Sequence, residues 1–226
     1  MEFLLDTIHI PDIERFAGFL PLAGVTSNPT IVKKEGHVDF FSHMKQIRSI
    51  LPKNASLHVQ VVGHSVEEML ADAHTILEKI DPETYIKVPT SEDGLKVIKL
   101  LKAENINVTA TAIYTKFQGY LAIAAGADYI APYYNRMQNM NIDAADAIAN
   151  FANLIAENNS HTKILAASFH NVNQVTEAFE NGAQAATMGV DIVEAALEMP
   201  AIHQAVNDFT NDWEDIFGAG STVAKI

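Results

Sequence analysis

Cysteine is absent from the 226-residue chain, which removes disulfides, thiolate catalysis and Cys-ligated zinc together. Positive charge is scarce: 15 Lys and Arg stand against 28 Asp and Glu, for a formal net charge of −13. With no basic cluster, neither nucleic acid nor an anionic membrane surface is an expected partner. No apolar run reaches membrane-spanning length, and Met1-Glu2 opens without a basic leader, so the cytoplasm is the expected location. Gly-x-Gly-x-x-Gly, a Walker-type loop and Gly-x-Ser-x-Gly are also missing. Their absence argues against a nucleotide cofactor and against the commonest serine-hydrolase design. Nine histidines are present, but no His-Glu-x-x-His or tight His/Asp cluster is. His58 and His64 are spaced too far apart to chelate from one strand, so neither a metal nor another cofactor is expected.

What the chain does contain is ordinary for a globular domain, 48% hydrophobic and 19% charged. Short apolar runs with β-branched residues occur at Phe3–Thr7, Leu22–Asn28, Leu57–Gly63, Thr84–Pro89, Asn107–Tyr114, Tyr129–Asn135, Lys163–Phe169 and Ala185–Gly189. Amphipathic segments lie between them, including Asp39–Leu51, Ser65–Ile80, Glu92–Glu104 and Asp143–Glu157. Ser65 with Glu68 has the spacing of a capping box. Repeated strand–helix units predict an α/β protein with a parallel sheet, and eight units match a (β/α)8 TIM barrel. A doubly wound sheet would show fewer strands and a glycine-rich first turn, whereas Asp6-Thr7-Ile8-His9 has no glycine. Residues 1–226 read as one barrel domain. Ala201–Phe217 is an extra C-terminal helix that either caps the barrel bottom or packs on a neighbouring subunit. Residues 218–226 are expected to fray.

Barrel active sites sit at the C-terminal ends of the strands. There the pattern places Asp6, then Thr26 and Asn28, then Gln60, Lys87, Thr111, Tyr133 and Ser168. Seven strands thus supply polar groups, and only Ala185–Gly189 offers no obvious one. Buried polar groups need partners, so such convergence points to a ligand site. Lys87, within Tyr85-Ile86-Lys87-Val88-Pro89, is either a snorkelling or ion-paired lysine or a nucleophile made neutral by desolvation. Asp6 alternatively caps a helix over Ile10–Leu20, and Tyr133 or Tyr134 alternatively fills the core. Arg136 is either a solvated rim arginine or a phosphate clamp.

Leu5-Asp6-Thr7, Leu22-Ala23-Gly24-Val25-Thr26-Ser27-Asn28-Pro29, Ile86-Lys87-Val88-Pro89, Ala131-Pro132-Tyr133 and Leu165-Ala166-Ala167-Ser168-Phe169 resemble the transaldolase family. The resemblance is to its short-chain fructose-6-phosphate aldolases and small transaldolases, and it runs from about Met1 to about Phe217. It implies metal-free class I aldol chemistry on sugars and sugar phosphates, with Lys87 as the Schiff-base lysine and Asp6 as the carboxylate that shuttles protons during imine formation. It further implies that Asn28, with Thr26 beside it, binds the donor hydroxyls. Arg136 and Ser168 would hold the acceptor phosphate.

Transaldolases of this family carry Glu on strand three and Phe on strand six. The aldolases carry Gln and Tyr, as Gln60 and Tyr133 do here, with Thr111 completing a water-binding set. The implied reaction joins dihydroxyacetone to glyceraldehyde 3-phosphate to make fructose 6-phosphate, or the reverse. The alternatives are a transaldolase that passes the dihydroxyacetone unit between sugar phosphates, and a non-catalytic sugar-phosphate sensor. The resemblance also implies a homo-oligomer, a pentamer or decamer, in which the C-terminal helix reaches a neighbour. One departure stands out: relatives carry a cationic residue two positions after the strand-seven serine, where this chain has His170. That implies weaker or pH-dependent binding of the acceptor phosphate.

Overall fold

The computed structural model describes residues 1–226. Its strands are β1 (Glu2–Asp6), β2 (Leu22–Thr26), β3 (Ser56–Gln60), β4 (Tyr85–Pro89), β5 (Val108–Ile113), β6 (Tyr129–Pro132), β7 (Lys163–Ala166) and β8 (Ala185–Met188). All are parallel, each pairs with its sequence neighbours, and β8 closes on β1. The expected (β/α)8 barrel is therefore present. Helix α1 (Ile10–Ala17) follows β1, and α2 (Pro29–Glu35) and α3 (Phe40–Ile50) follow β2. Then come α4 (Val66–Lys79) after β3, α5 (Glu92–Ala103) after β4 and α6 (Lys116–Ala124) after β5. The remaining helices are α7 (Tyr134–Asn139), α8 (Ala144–Glu157), α9 (Val172–Glu180), α10 (Val190–Leu197) and α11 (Pro200–Phe217). No helix is long and apolar enough to cross a membrane.

Alternation along each strand divides the apolar residues between two cores. Leu5, Val25, Val59, Ile86, Val88, Ile130 and Ile164 point outward and pack with helix residues such as Phe16, Ile98 and Phe151. Leu4, Tyr129, Leu165 and Ala185 point inward and form a separate small cluster inside the barrel. Helix starts are set by side-chain caps, with Asn28, Asp39, Ser65, Ser91, Thr115, Asp143 and Asn171 each accepting a backbone N–H of the first turn. Each such cap contributes about 1 kcal/mol. The Ser65/Glu68 capping box forms as the spacing predicted.

Several strands stop earlier than their apolar patterns. Strand β2 ends at Thr26 rather than Asn28, because Asn28 leaves the ladder to cap α2. Strand β3 ends at Gln60 rather than Gly63. Strand β6 ends at Pro132, and beyond it Tyr133 keeps only a single bridge to Ala167 before α7 begins. Strand β7 ends at Ala166, and Ser168 then takes the left-handed conformation with φ 62°. The apolar pattern also passed over α2, α6, α7 and α9, which have only 6 to 9 residues each. So few turns give little periodicity; α2, α6 and α9 were legible by their caps, above all the Thr115/Gln118 box, whereas α7 has no side-chain cap. Helix α11 buries none of its residues, and Val206, Phe209 and Ile216 lie open.

Candidate active site

Strand ends and the loops that follow them enclose a cavity of ≈ 80 Å³ at the C-terminal mouth of the barrel. Asp6, Thr26, Asn28, Lys87, Thr111, Tyr133, Arg136 and Ser168 line it, together with Thr187. Eight of the ten residues singled out from the sequence are thus gathered in one place.

Lys87 is 5% exposed, and its Nζ donates to the Ser27 carbonyl at 2.7 Å. Burial pulls its ammonium below the usual lysine range, and the nearby charge of Asp6 acts in the opposite sense. The side chain points into the barrel, so it does not snorkel to solvent. Its amine carries a single hydrogen bond within the chain.

Asp6 does not cap α1. The N-cap of that helix is His9, which makes no side-chain cap bond. Instead Asp6 Oδ1 accepts from Thr26 Oγ1 at 2.6 Å, and Thr26 Oγ1 lies 2.7 Å from Thr187 Oγ1. Strand β8 therefore does supply a polar group, contrary to the sequence expectation. Thr187 was passed over because it sits within Ala185-Ala186-Thr187-Met188, a small-residue strand in which one hydroxyl reads as filler. The period of two that aims Ala185 inward aims Thr187 inward as well.

The two adjacent tyrosines divide. Tyr134 is fully buried, donates to Glu177 Oε2 at 2.7 Å and fills the outer core. Tyr133 faces the cavity, its hydroxyl 3.0 Å from Thr111 Oγ1. Burial pushes the Tyr133 phenol up, while the Thr111 hydrogen bond and the charge of Arg136 pull it back. Arg136 lies over the Tyr133 ring at 4.8 Å and donates to Tyr114 Oη at 3.3 Å. Asn28 uses Oδ1 to accept from Ile31 N at 3.1 Å, which leaves its amide N–H groups for a ligand.

Gln60 and His170 are not brought in. Gln60 lines a neighbouring cavity of ≈ 420 Å³ with Ser27, Asn28, Phe40 and Phe41. Its Oε1 is buried and accepts no hydrogen bond from the protein. In the ladder, however, Gln60 is level with Lys87 on the next strand. His170 is exposed, and only its backbone N–H is engaged, donating to Gln174 Oε1. The histidines weighed as ligands part company. His64 is exposed, whereas His58 is inside the barrel, bonded to Thr109 and Ser56 at 2.8 Å each.

Two of the five left-handed residues other than glycine belong to this mouth: Ala112, with φ 57°, and Ser168. The other three are asparagines, which tolerate that conformation. The pairing of β5 with β6 shifts register between Ala110 and Ile113, where Ala112 lies. The arrangement as a whole is a desolvated amine, a carboxylate fixed through one oxygen, a phenol and a rim arginine. Such a set can form an imine and move protons beside it.

A family model described as transaldolase/fructose-6-phosphate aldolase matches residues 3–225 of the chain. A protein of Streptococcus pneumoniae (strain ATCC 700669 / Spain 23F-1) named probable fructose-6-phosphate aldolase is 52% identical over 213 residues, covering 94% of this chain and 96% of that one. Among solved structures, an inosine 5′ monophosphate dehydrogenase from Legionella pneumophila superposes with a TM-score of 0.58 at 11% identity, over 85% of this chain. This chain spans 58% of that one's length, and the likeness is one of fold alone.

Proposed function

The chain belongs to the transaldolase/fructose-6-phosphate aldolase family, and from that premise we propose that it is a class I aldolase that makes or cleaves fructose 6-phosphate. The observation that carries this reading is Lys87, an amine sealed in the barrel, shifted toward neutrality by burial and sharing its cavity with a carboxylate. An ion pair kept for stability alone would be better replaced by apolar packing.

In the proposed reaction the Lys87 amine attacks the ketone carbon of dihydroxyacetone. Asp6 takes a proton from the attacking amine and hands it to the departing hydroxyl, and the imine forms with loss of water. The carbon-bound proton passes through a water in the cavity to the Tyr133 oxygen, giving the enamine, whose carbon bonds to the aldehyde carbon of glyceraldehyde 3-phosphate. The new alkoxide is protonated from the Tyr133 hydroxyl through the same water, held by Thr111 and by Gln60, whose side chain would turn out of the adjoining cavity toward Lys87, level with it in the ladder. The proton delivered there balances the one removed from carbon. Hydrolysis of the imine returns the water, frees Lys87 and releases fructose 6-phosphate. Thr26 and Asn28 hold the donor hydroxyls, and Arg136 with Ser168 takes the phosphate. His170, on the exposed rim, adds charge to that phosphate only when protonated.

Release of the free donor is favoured over its transfer because Gln60 and Tyr133 stand where transaldolases of the family carry Glu and Phe. The proposed location is the cytoplasm. The open apolar face of α11 is read as its contact with a neighbouring copy in a pentamer or decamer, which sedimentation velocity would resolve.

The test is product analysis. Fructose 6-phosphate alone should yield free dihydroxyacetone, and adding erythrose 4-phosphate should divert little of it. Robust transfer with negligible free dihydroxyacetone would instead make the protein a transaldolase. Reduction with borohydride in the presence of dihydroxyacetone should label Lys87, and a label on another lysine would overturn the mechanism.

A further inference from the structure

The Thr187 hydroxyl stands at the end of a hydrogen-bonded row whose direction is fixed by counting protons. An ionised carboxylate only accepts, so the single proton of Thr26 Oγ1 goes to Asp6 Oδ1, 2.6 Å away. The contact between Thr26 Oγ1 and Thr187 Oγ1, at 2.7 Å, then has to be donated by Thr187. Both threonines are buried, at 0% and 2% exposure.

The row crosses three adjacent strands, β8 to β2 to β1. Thr26 is level with Asp6 in the ladder, whereas Thr187 is level with Leu4, two residues lower. Thr187 therefore reaches up from the floor side of the cavity to the hydroxyl that holds Asp6. A donor to a donor strengthens the second bond, because each polarises the next. Only Oδ1 of Asp6 is engaged, and Oδ2 has no hydrogen bond within the chain.

We propose that Thr187 is a positioning residue for the reaction: through Thr26 it locks Oδ1 of Asp6 against β2 and so leaves Oδ2 as the oxygen that takes up and returns the proton of imine formation. This rests on the aldolase reading above, and it adds a residue on the one strand that the sequence had left without a role. Thr187 touches neither the donor nor the acceptor in this scheme. Its loss slows imine formation and leaves acceptor binding as it was.

The substitution that removes the hydroxyl and keeps the shape is Thr187→Val, and the one that keeps the hydroxyl is Thr187→Ser. The rate of borohydride-dependent labelling of Lys87 by dihydroxyacetone reads imine formation directly. Steady-state synthesis with glyceraldehyde 3-phosphate reads kcat and KM. Thr187→Val should slow labelling and lower kcat by about 10-fold, the effect of one hydrogen bond in a charged network, with KM for the aldehyde changed less than about 2-fold. Thr187→Ser should restore both rates to within about 3-fold of wild type.

The proposal falls if Thr187→Val labels at the wild-type rate, or if Thr187→Ser is as slow as Thr187→Val, since packing rather than the hydroxyl would then matter. An equal rise in KM for the aldehyde would also overturn it, by showing general damage to the cavity. These failures leave the aldolase reading intact as long as wild type labels at Lys87. Should wild type itself fail to label, the aldolase reading falls and the role of Thr187 falls with it.

Discussion

The two ends of the barrel interior are built from the same strands under opposite rules. At the floor, His58 lies flat against Tyr85 at 4.7 Å and meets the edge of Tyr129 at 5.3 Å. Both imidazole nitrogens are bonded, to Thr109 and Ser56, and Ser56 Oγ also donates to the Ala23 carbonyl. Tyr129 donates to Glu2, which also takes Lys163. The exceptions in that layer are the Tyr85 hydroxyl and, one residue before it, the buried Thr84 Oγ1, which has no partner in the chain. At the mouth, Lys87 has one hydrogen bond, Asp6 has an idle oxygen, Ala112 and Ser168 are held left-handed, and in the adjoining cavity Gln60 Oε1 has no partner. Most polar side chains of the floor are paired within the chain, and they stabilise the barrel. The mouth breaks local rules, which is where function is expected to reside.

The largest test of this contrast is Lys87→Met. It should abolish labelling and lower turnover by at least ~10⁴-fold. Because it removes a desolvated amine, it should also raise the unfolding free energy by about 1 kcal/mol. Denaturant titration beside activity would check both halves. Lost activity with equally lost stability would mean that the mouth is structural after all.

Next in size is Tyr133→Phe, which should lower fructose 6-phosphate synthesis by roughly 10²-fold through loss of the proposed acid/base hydroxyl. It should leave imine labelling at Lys87 near the wild-type rate. Slowed labelling would place Tyr133 in the earlier step.

The floor makes its own prediction through His58. Burial first, and the charge of Lys87 second, hold its imidazole well below the usual histidine range. The unfolded chain therefore binds a proton near pH ~6.5 that the folded chain refuses. The stability contributed by His58 is fully present above that pH and is lost as pH falls toward the folded value. The slope contributed by this one group should approach about 1.4 kcal/mol per pH unit. Urea unfolding at several pH values should show this slope in wild type and a shallower one in His58→Phe. Parallel slopes would mean that His58 is protonated inside the barrel.

The smallest expected effect is a pair of alanines. Ala112→Gly should leave stability unchanged or raise it by about 0.5 kcal/mol, since glycine takes φ > 0 without strain. Ala73→Gly, at a fully buried site within α4, should lose about 1 kcal/mol or more. Equal losses at both positions would show that Ala112 stores no strain.

Much of this was legible in the residue string. Alternating patterns of period two and period 3.6 gave the eight strand–helix units, and the Ser65/Glu68 spacing gave a helix start. A lysine in the middle of Tyr85-Ile86-Lys87-Val88-Pro89 announced itself, because a charge inside an apolar strand needs a reason. Asp6, Thr26, Asn28, Thr111, Arg136 and Ser168 were found by their places at strand ends and do line the mouth. Strand ends were less legible. Near Asn28, Tyr133 and Ser168 the apolar pattern continues after the chain has left the ladder for a cap, a single bridge and a left-handed turn.

Only closure of the barrel decided the rest. Whether Tyr133 or Tyr134 faces the cavity depends on where β6 stops, and a one-residue difference reverses the side chain. Thr187 and Thr26 are 161 residues apart and meet because β8 and β2 both flank β1. Local pattern carries period and polarity, and it fixes which residues prefer to be buried and roughly which face they take. It carries no distance between strands, so which hydroxyl donates to which oxygen, and which oxygen of Asp6 stays free, exists only once the sheet has closed.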